Sequence, residues 1–387
     1  MPRLTIEHFG PIAYADIELK AVNVITGPQS AGKSTVLKTA CYCTWVEKRL
    51  ALTQKVNGFG NGATFIERMV EYYKMSGYVH EDTCIAYETP RLRFRYDHRT
   101  KTFGMQWKSA RWKYKRPKVS YVPADRNLVA AIPSWSALPL DGNMLEFMAD
   151  WDKARRYVQR AENVLNLGMT YTYDPQTNTD RIRLEDGRLL PLKESSSGIQ
   201  SLLPLYVHLE YLTRGQYEDV AAKISYEQKE ERRNLLTLLY DKYIEEEKPR
   251  EPKAETATVE GVDYGFPNRQ AMQEFEERAR NFLRVDHSEI FLEEPENNLF
   301  PPTQCQLVNR LLEAAQGHGD TLFIATHSPY VLNQVIKTAS ADRLAVFFTH
   351  PVEGERTLYS VRQLGDEEVR EMYANGVDLF FNFELYL

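Results

Sequence analysis

Gly27-Pro28-Gln29-Ser30-Ala31-Gly32-Lys33-Ser34 decides the reading of this chain. The stretch matches the pattern G-x-x-x-x-G-K-[ST]. It follows a short β-branched apolar run, Val22-Asn-Val-Ile-Thr26, and precedes a helical pattern, TVLKTACYCTWVEKRL. Strand, glycine loop and helix form the context that gives the pattern physical meaning. Gly27 and Gly32 allow the backbone to turn N–H groups inward, and the new helix aims its positive end at the same point. Such a cradle holds phosphate oxygens with the loop residues Gln29, Ser30, Ala31 and Gly32. Lys33 is expected to reach the β- and γ-phosphates, Ser34 to ligate Mg²⁺, and Thr35 to reach the α-phosphate. The fold class this predicts is α/β, a P-loop nucleoside triphosphatase.

Working outward, residues 289–296 read Glu-Ile-Phe-Leu-Glu293-Glu294-Pro-Glu296. An apolar run ending in acids is a buried strand that delivers carboxylates to a sheet edge, and a parallel sheet sets that edge beside the phosphate loop. Glu293 is expected to serve the Mg²⁺ shell and Glu294 to polarise or orient an attacking water. A third strand pattern, Thr321–Thr326, ends at His327-Ser328-Pro329, where a histidine is placed to touch a γ-phosphate. Between the loop and the acidic strand, Ser195-Ser-Ser197-Gly198-Ile-Gln200 opens another helical pattern. Hydroxyls and free amides at a helix start favour an anion, although Ser there is also an ordinary cap.

Together these residues resemble the ABC-type ATPase superfamily, in the branch that contains RecF, SMC-type heads and OLD-family ATPases. The opening Leu4-Thr-Ile-Glu-His-Phe9-Gly10-Pro-Ile resembles that branch's first strand. Glu293-Glu294-Pro-Glu296-Asn-Asn-Leu299-Phe300-Pro301 resembles its E-E-P-E element, Thr326-His327-Ser328-Pro329 its switch histidine, and Ser197-Gly198-Ile-Gln200 its signature. The resemblance implies ATP and Mg²⁺ as cofactors, ATP hydrolysis as the activity, and a homodimer in which Ser197 and Gly198 of one copy complete the nucleotide site of the other. The chain departs from the pattern at Glu293, where Asp is more usual, and at Phe300, where His is common. No glutamine loop is assigned. Tyr121-Val-Pro-Ala-Asp125-Arg126 ends a strand near where it should fall, with Asp125 or Arg126 either serving the site or forming a structural salt bridge.

The sequence of 387 residues, 43% hydrophobic and 26% charged, supports one large core with insertions. It contains no run of about 18 apolar residues, no signal-peptide pattern and no CxxC pair among Cys41, Cys43, Cys84 and Cys305, which fits a cytoplasmic protein without a membrane role. The expected organisation is an ATPase head from 1–45, 119–213 and 287–387. A helix and a basic antiparallel β lobe occupy 46–118, and a charged helical insertion with a mobile linker at 245–261 occupies 214–286. Net charge is −6, yet Arg91–Lys118 holds eleven Lys/Arg against one acid, leaving −16 on the remainder. Arg91, Arg93 and Arg95 alternate with Leu92, Phe94 and Tyr96, and Arg111, Lys113 and Lys115 repeat the alternation with Trp112 and Tyr114, as expected of antiparallel strands. Such a strand face binds nucleic-acid phosphates, engages an acidic protein, or is simply solvated. Residues 141–167 read as one amphipathic helix and 169–192 as short strands.

Three functions fit. The first is a nucleotide-gated switch that closes a homodimer and passes its output to DNA or to a separate effector. Its architecture resembles ATPase subunits of bacterial anti-phage systems such as the Septu and PARIS types, which work with a separate nuclease. The second is a RecF-like repair or chromosome-maintenance ATPase. The third is an ATP-binding scaffold with slow turnover.

Overall fold

A computed structural model describes residues 1–56, 58–60, 62–132, 141–218, 226–247, 254–355 and 357–375. Its strands are β1 (Arg3–Phe9), β2 (Ile12–Glu18), β3 (Val22–Thr26), β4 (Val79–Glu88), β5 (Leu92–Asp97), β6 (Thr102–Trp107), β7 (Arg116–Val122), β8 (Arg160–Ala161) and β9 (Met169–Asp174). They continue as β10 (Thr179–Leu184), β11 (Leu189–Pro191), β12 (Glu255–Val259), β13 (Val262–Phe266), β14 (Val285–Glu293), β15 (Thr321–Ala325), β16 (Leu344–Pro351) and β17 (Tyr359–Gln363). Eleven of them form one sheet in the order β6-β5-β4-β1-β2-β17-β16-β3-β15-β14-β7. The five from β16 to β7 run parallel to one another.

Parallel strands covered on both faces read as continuous apolar runs, and all five residues of β3 are buried. Their side chains alternate between two cores. Ile290 and Leu292 of β14, Leu322 and Ile324 of β15, and Val346 and Phe348 of β16 enter the core shared with helices Gly142–Val158, Ser197–Glu210, Pro301–Ala314 and Pro329–Thr338. Phe291, Phe323 and Phe347 enter the other core, packed with helix Lys33–Thr53 and with β1, β2, β4 and β5. The helix after the phosphate loop is therefore wedged between the parallel core and the antiparallel wing. That explains why polar Thr39, Thr44 and Glu47 are buried along it.

The antiparallel strands expected within 46–118 exist, but β4 pairs with β1, so they extend the main sheet instead of forming a separate lobe. Residues 111–115 depart from the strand expectation. Arg111–Lys113 is a single 3₁₀ turn leading into β7, which lies at the sheet edge opposite β6. The helix expected over 141–167 stops at Val158, because Gln159, Asn163, Leu165 and Asn166 take positive φ.

Residues 245–261 are not simply a mobile linker: their described part contains β12, paired in a hairpin with β13. Glu260 and Gly261 form its turn at φ 50° and 78°, the left-handed pair that a two-residue hairpin turn requires. The hairpin and helices Tyr226–Glu247 and Arg269–Leu283 bury a core of their own around Leu236, Tyr264, Phe266 and Phe275. Short strands over 169–192 are present as β9 to β11. The C-terminal stretch 378–387 lies outside the described residues. Among the described residues, no helix is long and apolar enough to cross a membrane.

Candidate functional site

The phosphate loop leaves β3 through Gly27, at φ 142°. A Cβ there would lie 2.0 Å from Thr349 Oγ1 and 2.6 Å from the Thr349 carbonyl, so only glycine fits. At Gly32, φ 81°, a Cβ would meet Ile12 Cδ1 at 2.5 Å. The loop closes onto helix Lys33–Thr53, whose first N–H groups lack intrahelical acceptors. Lys33 is buried, and its Nζ donates to the carbonyls of Gly27 at 3.0 Å and Pro28 at 2.6 Å. Burial pushes its pKa down to about 8 against the opposing pull of Glu294 and Glu296. Ser34 is exposed at the loop mouth and Thr35 is buried behind it.

Register explains why distant residues meet here. Ile25 of β3 pairs with Ala325 of β15, and Ala325 pairs with Glu293 of β14. The phosphate loop, His327 and the two acids therefore leave one sheet edge. The acidic strand is not the immediate neighbour of β3, since β15 lies between them. At roughly 4.8 Å per strand this sets the two backbones about 10 Å apart, a gap with room for phosphates.

Glu293 is 7% exposed. Its Oε1 has no hydrogen-bond partner, and Lys38 Nζ lies 3.8 Å away. Glu294 adopts φ 42°, a left-handed conformation uncommon for a non-glycine residue. Its Oε1 is 3.6 Å from His327 Nε2. Burial and then the charge of Glu293 raise the Glu294 pKa, while burial and then Lys33 lower that of His327. Glu296, to which no role was assigned from sequence, ties the elements together. It accepts from Thr326 Oγ1 at 2.9 Å and from the His327 amide at 2.7 Å, and its Oε2 is left buried without a partner. Its three-residue spacing from Glu293, beside a strand ending in Thr-His, was the available signal.

Arg126 is fully buried. Its guanidinium donates to the carbonyls of Glu293 at 2.9 Å, Glu294 at 2.8 Å, Pro295 at 3.2 Å, Ser201 at 3.1 Å and Pro123 at 3.4 Å. The structural salt bridge considered for Asp125 or Arg126 is replaced by this fan of carbonyl bonds, and Asp125 is exposed. Burial lowers the Arg126 pKa to about 10, opposed by Glu296, Glu294 and Glu293. Arg126→Met removes every one of these donors and is expected to destabilise the chain by about 3 kcal/mol, about 4 °C in Tm for a chain this long. Arg126→Lys, a point charge without the planar fork, should recover less than half of that loss. Thermal melts of the three proteins check this, and equal melts would deny Arg126 its positioning role.

Ser196 caps helix Ser197–Glu210 by accepting from the Ile199 amide at 3.4 Å, which leaves the Ser197 side chain exposed at the helix start. Gly198 packs on the chain's own acidic loop, where a Cβ would lie 2.8 Å from the Asn298 carbonyl. Among the described residues, no hydrogen bond or ion pair joins 195–200 to the phosphate loop of the same chain. Phe300 is 76% exposed and Tyr330 40% exposed on segments that follow the acidic loop and His327.

A magnesium ion has fitting donors here. The buried Oε1 of Glu293 makes no hydrogen bond beyond its 3.8 Å approach to Lys38, and the Ser34 hydroxyl is exposed, a hard-oxygen set suited to that metal. Among the described residues there is no cluster of three or more His, Cys, Asp or Glu side chains of metal-holding arrangement.

The basic stripe is largely neutralised in space. Arg91 Nε sits 2.6 Å from Glu47, Arg95 lies 3.7 Å from Glu7, and Lys115 is 3.2 Å from Asp286. Only Arg93, on β5, and Lys113, in the 3₁₀ turn before β7, are exposed without an ion pair among the described residues of the five candidates. The single-sign face read from the sequence thus becomes a mixed one.

No protein-family model matches the chain, and no curated protein matches it. Among solved structures it is similar to the SMC head domain from Thermotoga maritima at 12% identity and a TM-score of 0.44, covering 94% of this chain and 98% of that one. It is similar to an Smc head bound to the C-winged helix domain of ScpA at 9% identity and a TM-score of 0.43, covering 95% of this chain and 98% of that one. A third similarity is to the ADP conformation of an ATP-binding cassette of an ABC transporter, at 12% identity and a TM-score of 0.35, covering 99% of each chain.

Proposed function

We propose that this chain is an ATPase that binds ATP with Mg²⁺ at the loop Gly27–Thr35, and that a second copy completes the site with Ser197 and Gly198. The observation that carries this reading is the single sheet edge on which Lys33, Glu293, Glu294 and His327 converge. Lys33, resting on loop carbonyls in the free chain, transfers its hydrogen bonds to the β- and γ-phosphates. Glu294 accepts from the attacking water, with His327 beside it. Ser34 and the Glu293 carboxylate would hold magnesium, which would supply neutralisation of phosphate charge when bound.

Completion in trans is supported by the position of Ser197. It is exposed at a helix N-terminus, a ready anion site, yet the helix start is packed on Asn298 and bonds nothing in its own phosphate loop. Exposed Phe300 and Tyr330 give a closing partner apolar area to cover. Closure on ATP and reopening after hydrolysis make the protein a molecular switch, and its output to DNA or to a separate effector such as an anti-phage nuclease belongs to the same reading.

Ser197→Arg places a bulky cation in the proposed interface without touching the phosphate loop. It is expected to bind ATP within about threefold of the parent, to remain monomeric with ATP in sedimentation, and to lose about a hundredfold in phosphate release. An arginine variant that still dimerises on ATP and turns over normally would remove the trans arrangement.

A further inference from the structure

At the end of the sheet opposite the phosphate loop lies a cavity of about 740 Å³. Its walls are the start of β7, the approach to β14, the last turn of helix Arg269–Leu283 and the turn of the β12–β13 hairpin. Four arginines line it, Arg116, Arg232, Arg280 and Arg284, against two acids, Glu260 and Glu276. Arg232 holds Glu260 at 3.3 Å. Arg280 and Arg284 are exposed and carry no ion pair among the described residues. Arg116 gives one bond to the Leu283 carbonyl at 3.1 Å, while its Nε is buried with no partner at all.

A guanidinium nitrogen taken out of water and left unbonded costs free energy that a fold does not spend without return. Burial holds the Arg116 pKa below its ordinary value, with the Tyr114 phenol opposing and Arg232 adding to the fall. Like charges gathered around a concavity are relieved by one class of ligand, a multiply charged anion. Planar guanidiniums bind phosphate oxygens in pairs. The volume falls within the 300–1,000 Å³ usual for a small-ligand site, which favours a compact ligand over a long polymer.

We propose that this cavity is a second anion site, separate from the phosphate loop, that takes a small polyphosphate-bearing molecule of nucleotide size. β14 links the two sites physically. It begins at Val285 in the cavity wall and ends at Glu293, a span of roughly 26 Å at the usual rise per residue. Closure of the arginines on a ligand bears on Arg284, and hence on the start of the strand that carries the catalytic acids.

The test uses the full chain carrying Lys33→Ala, so that the phosphate loop does not contribute, and inorganic tripolyphosphate as the probe in low-salt titration calorimetry. Binding in the micromolar range is expected. Arg280→Ala with Arg284→Ala, added in the same background, should weaken it at least about tenfold, the loss of one or more charge-assisted bonds. Both arginines are exposed, so the fold should survive their removal. No binding of tripolyphosphate, or equal binding with and without the two arginines, overturns the site. A 20-base-pair DNA duplex is titrated in parallel. Arginine-dependent duplex binding without tripolyphosphate binding overturns the small-ligand assignment.

Discussion

Lys33→Ala is expected to abolish measurable ATP binding while leaving the fold as stable as before. The ammonium is positioned to make two charge-assisted bonds to phosphate oxygens, and each is worth about 1.5–3 kcal/mol. Their loss weakens affinity by at least about a hundredfold. Stability moves the other way. The folded-state pKa, about 8, lies below the ordinary 10.5 because burial disfavours the charge, which at pH 7 costs the empty protein about 3 kcal/mol. Alanine removes that cost and also forfeits about 2 kcal/mol of buried side-chain stem, so Tm should stay within about 3 °C of the parent. The same shift gives a pH signature. In the empty protein, stability gains from Lys33 as pH rises from about 8 to 10.5, where only the unfolded chain keeps the proton. ATP affinity instead falls about tenfold per pH unit over that window, since the bound phosphates require the ammonium. Unchanged ATP affinity in the alanine variant would detach the nucleotide from this loop.

The parts of this site that were legible in the sequence carry their information locally. β3 and β14 are continuous apolar runs, and the glycines, the lysine and the acids follow directly from them. Strand order is not local. Nothing in Val22–Thr26 or Glu289–Glu296 states that β15 lies between them. Arg126 escaped a definite role because its task is to bond carbonyl oxygens, which every residue possesses and no motif records. The ion pairs within the basic stripe were hidden for a related reason. Arg95 finds Glu7 and Lys115 finds Asp286, acids far away in the chain, so counting charges within a window could not see the neutralisation. The β12–β13 hairpin was hidden by the charged, proline-containing sequence just before it, although Ala257, Tyr264 and Phe266 supply its buried face and Glu260-Gly261 its turn.

Glu294→Gln is expected to keep ATP binding and to slow phosphate release by at least about a hundredfold, the usual span for removing a positioned base. The side chain keeps its size and loses only its ability to accept a proton, so the loop held by Arg126 should remain in place. Two features of the free chain sharpen the expectation. The Glu294 pKa is raised by burial and by the neighbouring Glu293 charge, which moves the carboxylate toward the range where a base works near neutral pH. The His327 pKa is lowered, so at neutral pH the imidazole 3.6 Å away is uncharged and does not lock the carboxylate in an ion pair. The acid limb of kcat/KM should therefore fall at a pH above that of an ordinary glutamate, and it should vanish in the glutamine variant. With hydrolysis stalled, the ATP-bound pair of chains should accumulate, and sedimentation should show a dimer that persists with ATP and disperses with ADP. Rapid turnover in Glu294→Gln, with the acid limb intact, would move the base to another residue. Stalled turnover without an accumulated dimer would keep the base and remove the gating.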